Sequence, residues 1–133
     1  MTRKRTKKIP AYLGDSKQFM PLTYELQKSA AYRALSARQR DLYHLAYREA
    51  HYSPRHPRND FPDVDDLKED NVCYLTFGVA VSNRLYEKTG RTKFIYDRQI
   101  LVKLGFLEIM TQGGNGAKNK TIYRLSGKWQ QIK

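Results

Sequence analysis

The chain has little of what several common protein classes require. Its single cysteine, Cys73, can form neither a disulfide within the chain nor a cysteine-rich metal site. No run of apolar residues approaches the roughly 18 that a membrane span needs. The first eight residues are charged and no apolar stretch follows them, which is not the pattern of a secretory signal. We therefore expect a cytoplasmic domain without a disulfide framework or a membrane segment.

Acidic residues are also scarce. The 13 Asp and Glu stand against 25 Lys and Arg, which gives a net charge of +12, and 40% hydrophobic residues in a chain of 133 suffice for one domain with a core. Residues 1–59 hold 13 bases and 4 acids, residues 71–133 hold 11 bases and 3 acids, and residues 60–70 hold six acids and one lysine. A field of positive sign attracts polyanions, and nucleic acid is the first candidate.

The N-terminal residues 1–18 are predicted to form a flexible basic arm. Their charges repel one another and they have no apolar face to bury, so the arm is expected to be disordered in isolation. It is either a solubilising terminus or an arm that lies along phosphates or in a minor groove, with Arg3, Lys4 and Arg5 as candidate DNA-binding residues. Residues 19–133 are predicted to form one domain.

The first half of that domain is predicted to be helical, with a long loop behind it. A short helix over Tyr24–Ser29 is followed by a turn over Ala30–Leu35. Ser36 is a favourable N-cap for a helix from Ala37 to about His51, whose apolar residues follow helical spacing. Three prolines and few apolar residues then predict a Pro-rich acidic loop at 53–70.

The next segment is predicted as a strand and two helices separated by a tight turn. Cys73–Phe77 is β-branched and aromatic enough for a short strand. A helix containing Val79 and Tyr86 is expected to end near Gly90 in a left-handed conformation. Thr92 is expected to cap a second helix, which carries apolar residues at helical spacing and ends at Gly105.

The C-terminal segment predicts a hairpin. Phe106–Met110 and Thr121–Leu125 both have strand patterns, and the glycine-rich, basic residues 112–120 between them suit a long flexible tip. Trp129 is expected to pack the C-terminus against the domain.

This order of elements predicts an α+β fold, mainly helical, of the winged helix-turn-helix type with a C-terminal two-stranded wing. A helix-turn-helix needs a tight turn so that its second helix projects from the domain and can enter a major groove. The hairpin would cover the core on one side and reach the neighbouring DNA backbone with its tip.

Four stretches of the sequence carry a likeness to a known family. They are Phe19-Met20-Pro21-Leu22, Ser29 through Ser36, Leu104 through Glu108, and Tyr123 through Ser126. With them the chain resembles small winged-helix proteins of plasmids and integrative or conjugative elements, some replication-initiator-like and others accessory or regulatory factors at transfer origins. It departs from them in its acidic, Pro-rich insert.

The resemblance implies a sequence-specific double-stranded DNA-binding protein that acts at a transfer or replication origin or at a promoter. Double-stranded DNA is the expected partner, and a relaxase or a replication initiator is a further candidate partner. A monomer or a homodimer on DNA and no role for a membrane are expected.

The predicted DNA contacts lie mainly on the second helix of the turn motif. Its outward polar stripe and its basic N-terminal end supply the candidates Arg91, Thr92, Lys93, Tyr96, Arg98, Gln99 and Lys103. Arginine can read guanine, glutamine can read adenine, and tyrosine can meet a phosphate or a thymine methyl group. Lys118 and Lys120 at the wing tip are candidate phosphate contacts. Arg33, Arg38 and Arg40 are interpreted as solubilising charge rather than as backbone contacts.

No arrangement of residues favours an enzyme or a cofactor. His44 and His51 lie on one helix face with Cys73 distant, which is not a metal-ligand pattern. The glycines of residues 113–116 lack the ending of a phosphate-binding loop, and the acidic residues at 60–70 lack the glycine and ligand spacing of a calcium-binding loop.

Two alternatives remain open at the level of sequence. One is an RNA-binding or ribosome-associated basic domain, although such modules tend to expose aromatic residues on a sheet. The other is a protein-docking module of an origin complex, in which the acidic insert contacts the partner.

Overall fold

A computed structural model describes residues 20–111 and 121–132, so the predicted arm and wing tip lie outside the described residues. The architecture is α+β and largely helical, as the sequence predicted; within the described residues its small antiparallel sheet has three strands, because a third strand joins the two of the predicted hairpin. The helices are α1 (Tyr24–Lys28), α2 (Ala30–Ala34), α3 (Ala37–Tyr52), α4 (Pro57–Asp60), α5 (Phe77–Ser82) and α6 (Arg91–Lys103). The strands are β1 (Val72–Tyr74), β2 (Leu107–Thr111) and β3 (Ile122–Leu125).

Successive serine caps divide the N-terminal half into three helices. The predicted turn over Ala30–Leu35 is wrong, because Ser29 ends α1 and at once begins α2: its Oγ accepts the Tyr32 backbone N–H at 3.1 Å. The predicted cap at Ser36 is confirmed. Its Oγ accepts the Gln39 N–H at 3.2 Å while the Gln39 Oε1 accepts the Ser36 N–H at 2.9 Å, a complete capping box for α3.

The acidic insert is more ordered than the predicted loop at 53–70. Pro57 occupies the first turn of α4, where its missing N–H costs nothing. His56 caps α4, since its Nδ1 accepts the Arg58 N–H at 3.2 Å. Burial, together with the nearby Arg58 charge, lowers the pKa of His56, which favours the neutral imidazole that this cap needs. Leu67 is buried in the same insert and packs on the sheet.

The three strands lie in the order β1-β3-β2, and both neighbouring pairs are antiparallel. One face of the sheet places Cys73 and Tyr123 in the main core with the helices, while Val72 and Ile122 on the other face pack against Leu67. The insert therefore covers the second face of the sheet. Burial raises the pKa of the Cys73 thiol to about 12, so this side chain is an inert core group.

The first strand is shorter than predicted, and a helix takes its last residue. The strand predicted over Cys73–Phe77 ends at Tyr74, because the Thr76 side chain accepts the Val79 N–H at 3.2 Å and so makes Phe77 the first residue of α5. Thr76 was interpreted as a strand residue, although it serves as the N-cap of α5.

The connection from α5 to α6 also differs from its prediction. Helix α5 ends at Ser82, and Arg84 rather than Gly90 takes the left-handed conformation, with φ of 63°. Gly90 has φ of −90° and is itself the N-cap of α6. Thr92 therefore lies within the first turn and is not the cap.

The core lies between α3, α6 and the sheet. Phe94 and Leu101 of α6 are fully buried in it with Phe106, and Trp129 stacks on the Phe106 ring at 6.2 Å between centroids, as the sequence predicted. Gly105 ends the α6 segment with φ of 86°, which confirms its predicted role. None of the helices within residues 20–111 and 121–132 has the length and apolar character that crossing a membrane requires.

Candidate nucleic-acid interface

Helix α6 turns one face inward and presents the opposite face to solvent. Phe94, Asp97 and Leu101 define the buried side. The four residues of the predicted polar stripe are all exposed: Thr92, Tyr96, Gln99 and Lys103. Their spacing follows the helical period, so they form one continuous outer face. The sequence therefore placed this surface correctly.

The N-terminal end of α6 is electropositive. Arg91 and Lys93 are both exposed there, and the Arg91 guanidinium lies 4.9 Å from the centroid of the Phe77 ring. No side chain of the described residues caps this end. The first backbone N–H of α6 that donates to a carbonyl is that of Phe94, to Gly90 O at 3.0 Å. The helix dipole adds positive potential at the same end. The arrangement suits a phosphate or another anionic group outside the helix.

Arg98 is also on α6, but its guanidinium contacts the domain. Its Nη1 donates to the Leu75 carbonyl at 2.8 Å, and its guanidinium carbon lies 4.7 Å from the Phe94 ring centroid and 5.2 Å from that of Tyr123. Burial is the main cause of a lowered pKa for this arginine. Arg98 thus fastens α6 to the sheet.

A buried carboxylate fixes α6 against α3, and sequence reasoning missed it. The Asp97 side chain is 1% exposed and accepts three hydrogen bonds: Oδ2 from Arg38 Nε at 2.8 Å and from the Tyr86 hydroxyl at 2.6 Å, and Oδ1 from Gln39 Nε2 at 3.0 Å. Burial alone would raise the pKa of Asp97, but the hydrogen bonds from Tyr86, Arg38 and Gln39 outweigh it and hold the pKa below its usual value.

The signal for this cluster was present in the helical spacing. Asp97 lies three residues after Phe94 and four before Leu101, which places it on the apolar face of α6, where an acid needs partners. The interpretation of Arg38 as solubilising charge is wrong, since its Nε forms an ion pair with this buried carboxylate.

Gln39 links the cluster to the start of α3. Its Oε1 accepts the Ser36 N–H in the capping box, and its Nε2 donates to Asp97. One amide therefore connects the N-terminus of α3 to the middle of α6. The orientation of α6 depends on side chains that lie far from it in the sequence.

Two open grooves border α6. The larger, of about 530 Å³, lies at its N-terminal end, and Arg38, Gly90 and Lys93 are among its lining residues. The smaller, of about 250 Å³, lies between α6 and the hairpin strands, with Gln99 and Ile109 in its wall. The predicted contacts at Arg3, Lys4, Arg5, Lys118 and Lys120 lie outside the described residues.

In the described part of the chain, no group of three or more His, Cys, Asp or Glu side chains is arranged to hold a metal ion. The His44 Nε2 lies 3.0 Å from the Tyr32 hydroxyl, and burial lowers the pKa of His44, as expected for a histidine within the packing of helices. A scan against known protein families, a search of curated proteins and a search of solved structures each give no match.

Proposed function

We propose that this protein is a winged helix-turn-helix that binds double-stranded DNA in a sequence-specific manner. The observation that carries the proposal is the arrangement α3, β1, α5, α6, β2 and β3 with strand order β1-β3-β2, which leaves the polar outer face of α6 exposed. In this assignment α5 and α6 form the helix-turn-helix, α6 is the recognition helix and the β2-β3 hairpin is the wing.

The dimensions and charge support this assignment. Helix α6 has 13 residues, which corresponds to a length of about 20 Å at 1.5 Å per residue. A major groove about 12 Å wide admits such a helix. Arg98 and Asp97 hold α6 in place through contacts on its buried side, so its outer side chains can be positioned against base edges. The net charge of +12 favours phosphate contacts.

The biological setting rests on the resemblance to proteins of mobile genetic elements. We place the protein in the cytoplasm as an accessory or regulatory factor at a transfer or replication origin or at a promoter. It would position a relaxase or a replication initiator, as a monomer or a homodimer on DNA, without a cofactor or a reaction of its own.

Duplex DNA is favoured over RNA by the packing of the sheet. Tyr74 and Tyr123 are the aromatic residues of β1 and β3, and both are buried. The described faces of the sheet therefore lack the exposed stacking platform that single-stranded RNA modules use. Competition between a labelled DNA duplex and structured RNA of equal length should leave the duplex bound, and preferential release by RNA would reverse this assignment.

Binding is expected to depend strongly on salt. With about 5 to 8 phosphate contacts, a plot of log affinity against log salt concentration should have a slope of about −4 to −7, because each contact releases condensed counterions. Fluorescence anisotropy of a labelled duplex at several salt concentrations measures this slope. A slope near zero would remove the basis for any nucleic-acid function.

Gln99 is expected to contribute to specificity. Replacing it with alanine should weaken binding to the preferred sequence by about 1–3 kcal/mol and binding to random DNA very little, because the amide would lose a base edge rather than a phosphate. Gln131→Ala removes an exposed glutamine far along the chain and serves as the matched control. Equal losses on both kinds of DNA would show that Gln99 contacts only the backbone.

A further inference from the structure

The centre of the outer face of α6 carries no charge. Ile95, Tyr96 and Gln99 occupy it, with Thr92 and Lys93 at the N-terminal end and Lys103 at the other. Ile95 is 36% exposed and Tyr96 is 58% exposed, whereas Phe94 and Leu101 of the same helix are fully buried and Ile100 and Val102 are partly buried against the core. The face thus has cations at its ends, suited to phosphates, and an uncharged centre.

The arginines of α6 are turned away from this centre. Arg98 donates to the Leu75 carbonyl and lies over the Phe94 ring, and Arg91 lies over the Phe77 ring of α5. Arginine is the residue that most often reads guanine, through a bidentate contact to O6 and N7. The centre of α6 therefore offers no arginine for guanine, although a scan of the sequence suggests one at Arg98.

We propose that α6 reads A·T base pairs, with Ile95 against the C5-methyl group of a thymine and Gln99 paired to the edge of an adenine. The inference rests on the proposed function. The thymine methyl is the apolar group that the major groove presents, so it is the group that an exposed isoleucine can cover with a gain in free energy. Gln99 has the amide that pairs with adenine N6 and N7.

The spacing of these two residues predicts the spacing of the bases. Ile95 and Gln99 are four residues apart, which is about 6 Å along a helix. In a helix that lies in the major groove, side chains three or four residues apart can contact neighbouring base pairs. The preferred site should therefore contain a thymine and an adenine within about two base-pair steps of each other.

The test starts from a pool of short DNA duplexes with a randomised centre, from which the wild-type protein selects its preferred sequence. Each thymine of the selected duplex is then replaced by uracil, which deletes only the C5-methyl group. At one thymine the wild-type affinity should fall about fourfold, the effect of one buried methyl group. Ile95→Ala should bind the thymine and uracil duplexes equally, and Ile95→Val should show an intermediate ratio.

Ile132→Ala is the matched control, because Ile132 is an isoleucine of nearly the same exposure, 37% against 36%, outside α6. It should keep the wild-type ratio between thymine and uracil duplexes. Circular dichroism checks that each variant is folded, and Ile95→Val keeps the test valid if the alanine variant is not. A selected site of G·C pairs, or a wild-type protein indifferent to uracil, would overturn this inference while leaving duplex binding intact. A protein that selects no duplex would overturn the proposed function itself, and the inference with it.

Discussion

Replacing Asp97 with asparagine should lower the free energy of unfolding by about 3 kcal/mol. The two buried carboxylate oxygens together accept three hydrogen bonds, and in asparagine one of these acceptors is replaced by an NH₂ donor. If the asparagine oxygen keeps the bonds from Arg38 and Tyr86, its NH₂ group faces the NH₂ group of Gln39. Gln39 cannot rotate its amide to correct this, since its Oε1 accepts the Ser36 N–H. The substitution therefore disturbs either the α6 contact or the cap of α3.

Asp41→Asn makes the same chemical change at an exposed position of α3 and should alter stability by less than about 0.5 kcal/mol. Urea unfolding followed by circular dichroism compares the two variants with the wild-type protein. We also expect Asp97→Asn to weaken binding to the preferred DNA sequence at a temperature where it is still folded, because α6 loses its fixed orientation. Equal stabilities for the two variants would show that the Asp97 cluster does not hold α6.

The pH dependence of stability gives a second measurement of the same cluster. The pKa of Asp97 is lower in the folded protein than in the unfolded chain, so the carboxylate stabilises the fold at pH values above the ordinary range of an aspartate. That contribution is lost as the pH falls through the folded pKa. The pKa of Glu108 is also lowered, by Lys128 and Arg124, so part of the acid sensitivity should persist. Asp97→Asn should have a shallower loss of stability at acid pH than the wild-type protein, with Glu108 providing the remainder.

Prediction from the sequence succeeded where a single residue determines the local backbone geometry. Ser36 as the cap of α3 and Gly105 as the end of the α6 segment were both predicted from residue type alone, and the structure adds the capping box at Ser36 and the left-handed conformation at Gly105. The inward and outward faces of α6 followed from its helical period. The two strands of the hairpin were predicted to within one residue at each end where the structure describes them.

Prediction failed where a polar side chain has more than one use. Thr76 is compatible with a strand, but its hydroxyl caps α5, and the Ser29 hydroxyl caps α2, a helix where a turn was predicted. His56 caps α4 with a ring nitrogen, which a list of usual cap residues does not include. In each case the side chain accepts a backbone N–H from a residue two or three positions further along the chain, and residue type alone does not decide whether it does so.

The exposed surface of the candidate site could be predicted from the sequence, but the buried contacts that hold α6 in place could not. The exposed stripe of α6 is a property of the helix alone, whereas Asp97 obtains its partners from α3 and from the segment before α6. Arg98 was predicted to face DNA because its Cα lies near the stripe. Its long side chain instead folds back to the Leu75 carbonyl, since two aromatic rings offer it a cation–π surface there.

Replacing Gly105 with alanine should destabilise the domain by about 3 kcal/mol or more, through two independent causes. At φ of 86° an alanine adopts a left-handed conformation that L residues disfavour by roughly 1–2 kcal/mol. Its Cβ would also lie 2.6 Å from the Lys128 carbonyl carbon and 2.6 Å from the Trp129 nitrogen. Both are backbone atoms, so no side-chain rotation relieves the contact.

The strain would act on the junction between α6 and the β2-β3 hairpin. Trp129 donates its backbone N–H to the Gly105 carbonyl at 3.1 Å, and its ring stacks on Phe106, so moving the C-terminal segment away would loosen both contacts. Trp129 is the single tryptophan of the chain, and its fluorescence reports this junction directly during urea unfolding.

Gly78→Ala is the matched control, for which we expect a change in stability of the opposite sign. Gly78 lies within α5 with nothing within 4 Å of an added Cβ, so alanine there should stabilise the protein by about 0.5–1 kcal/mol. A Gly105→Ala variant as stable as the wild-type protein would mean that the β2-β3 hairpin and α6 are not held in the fixed relation that the proposed DNA-binding surface requires.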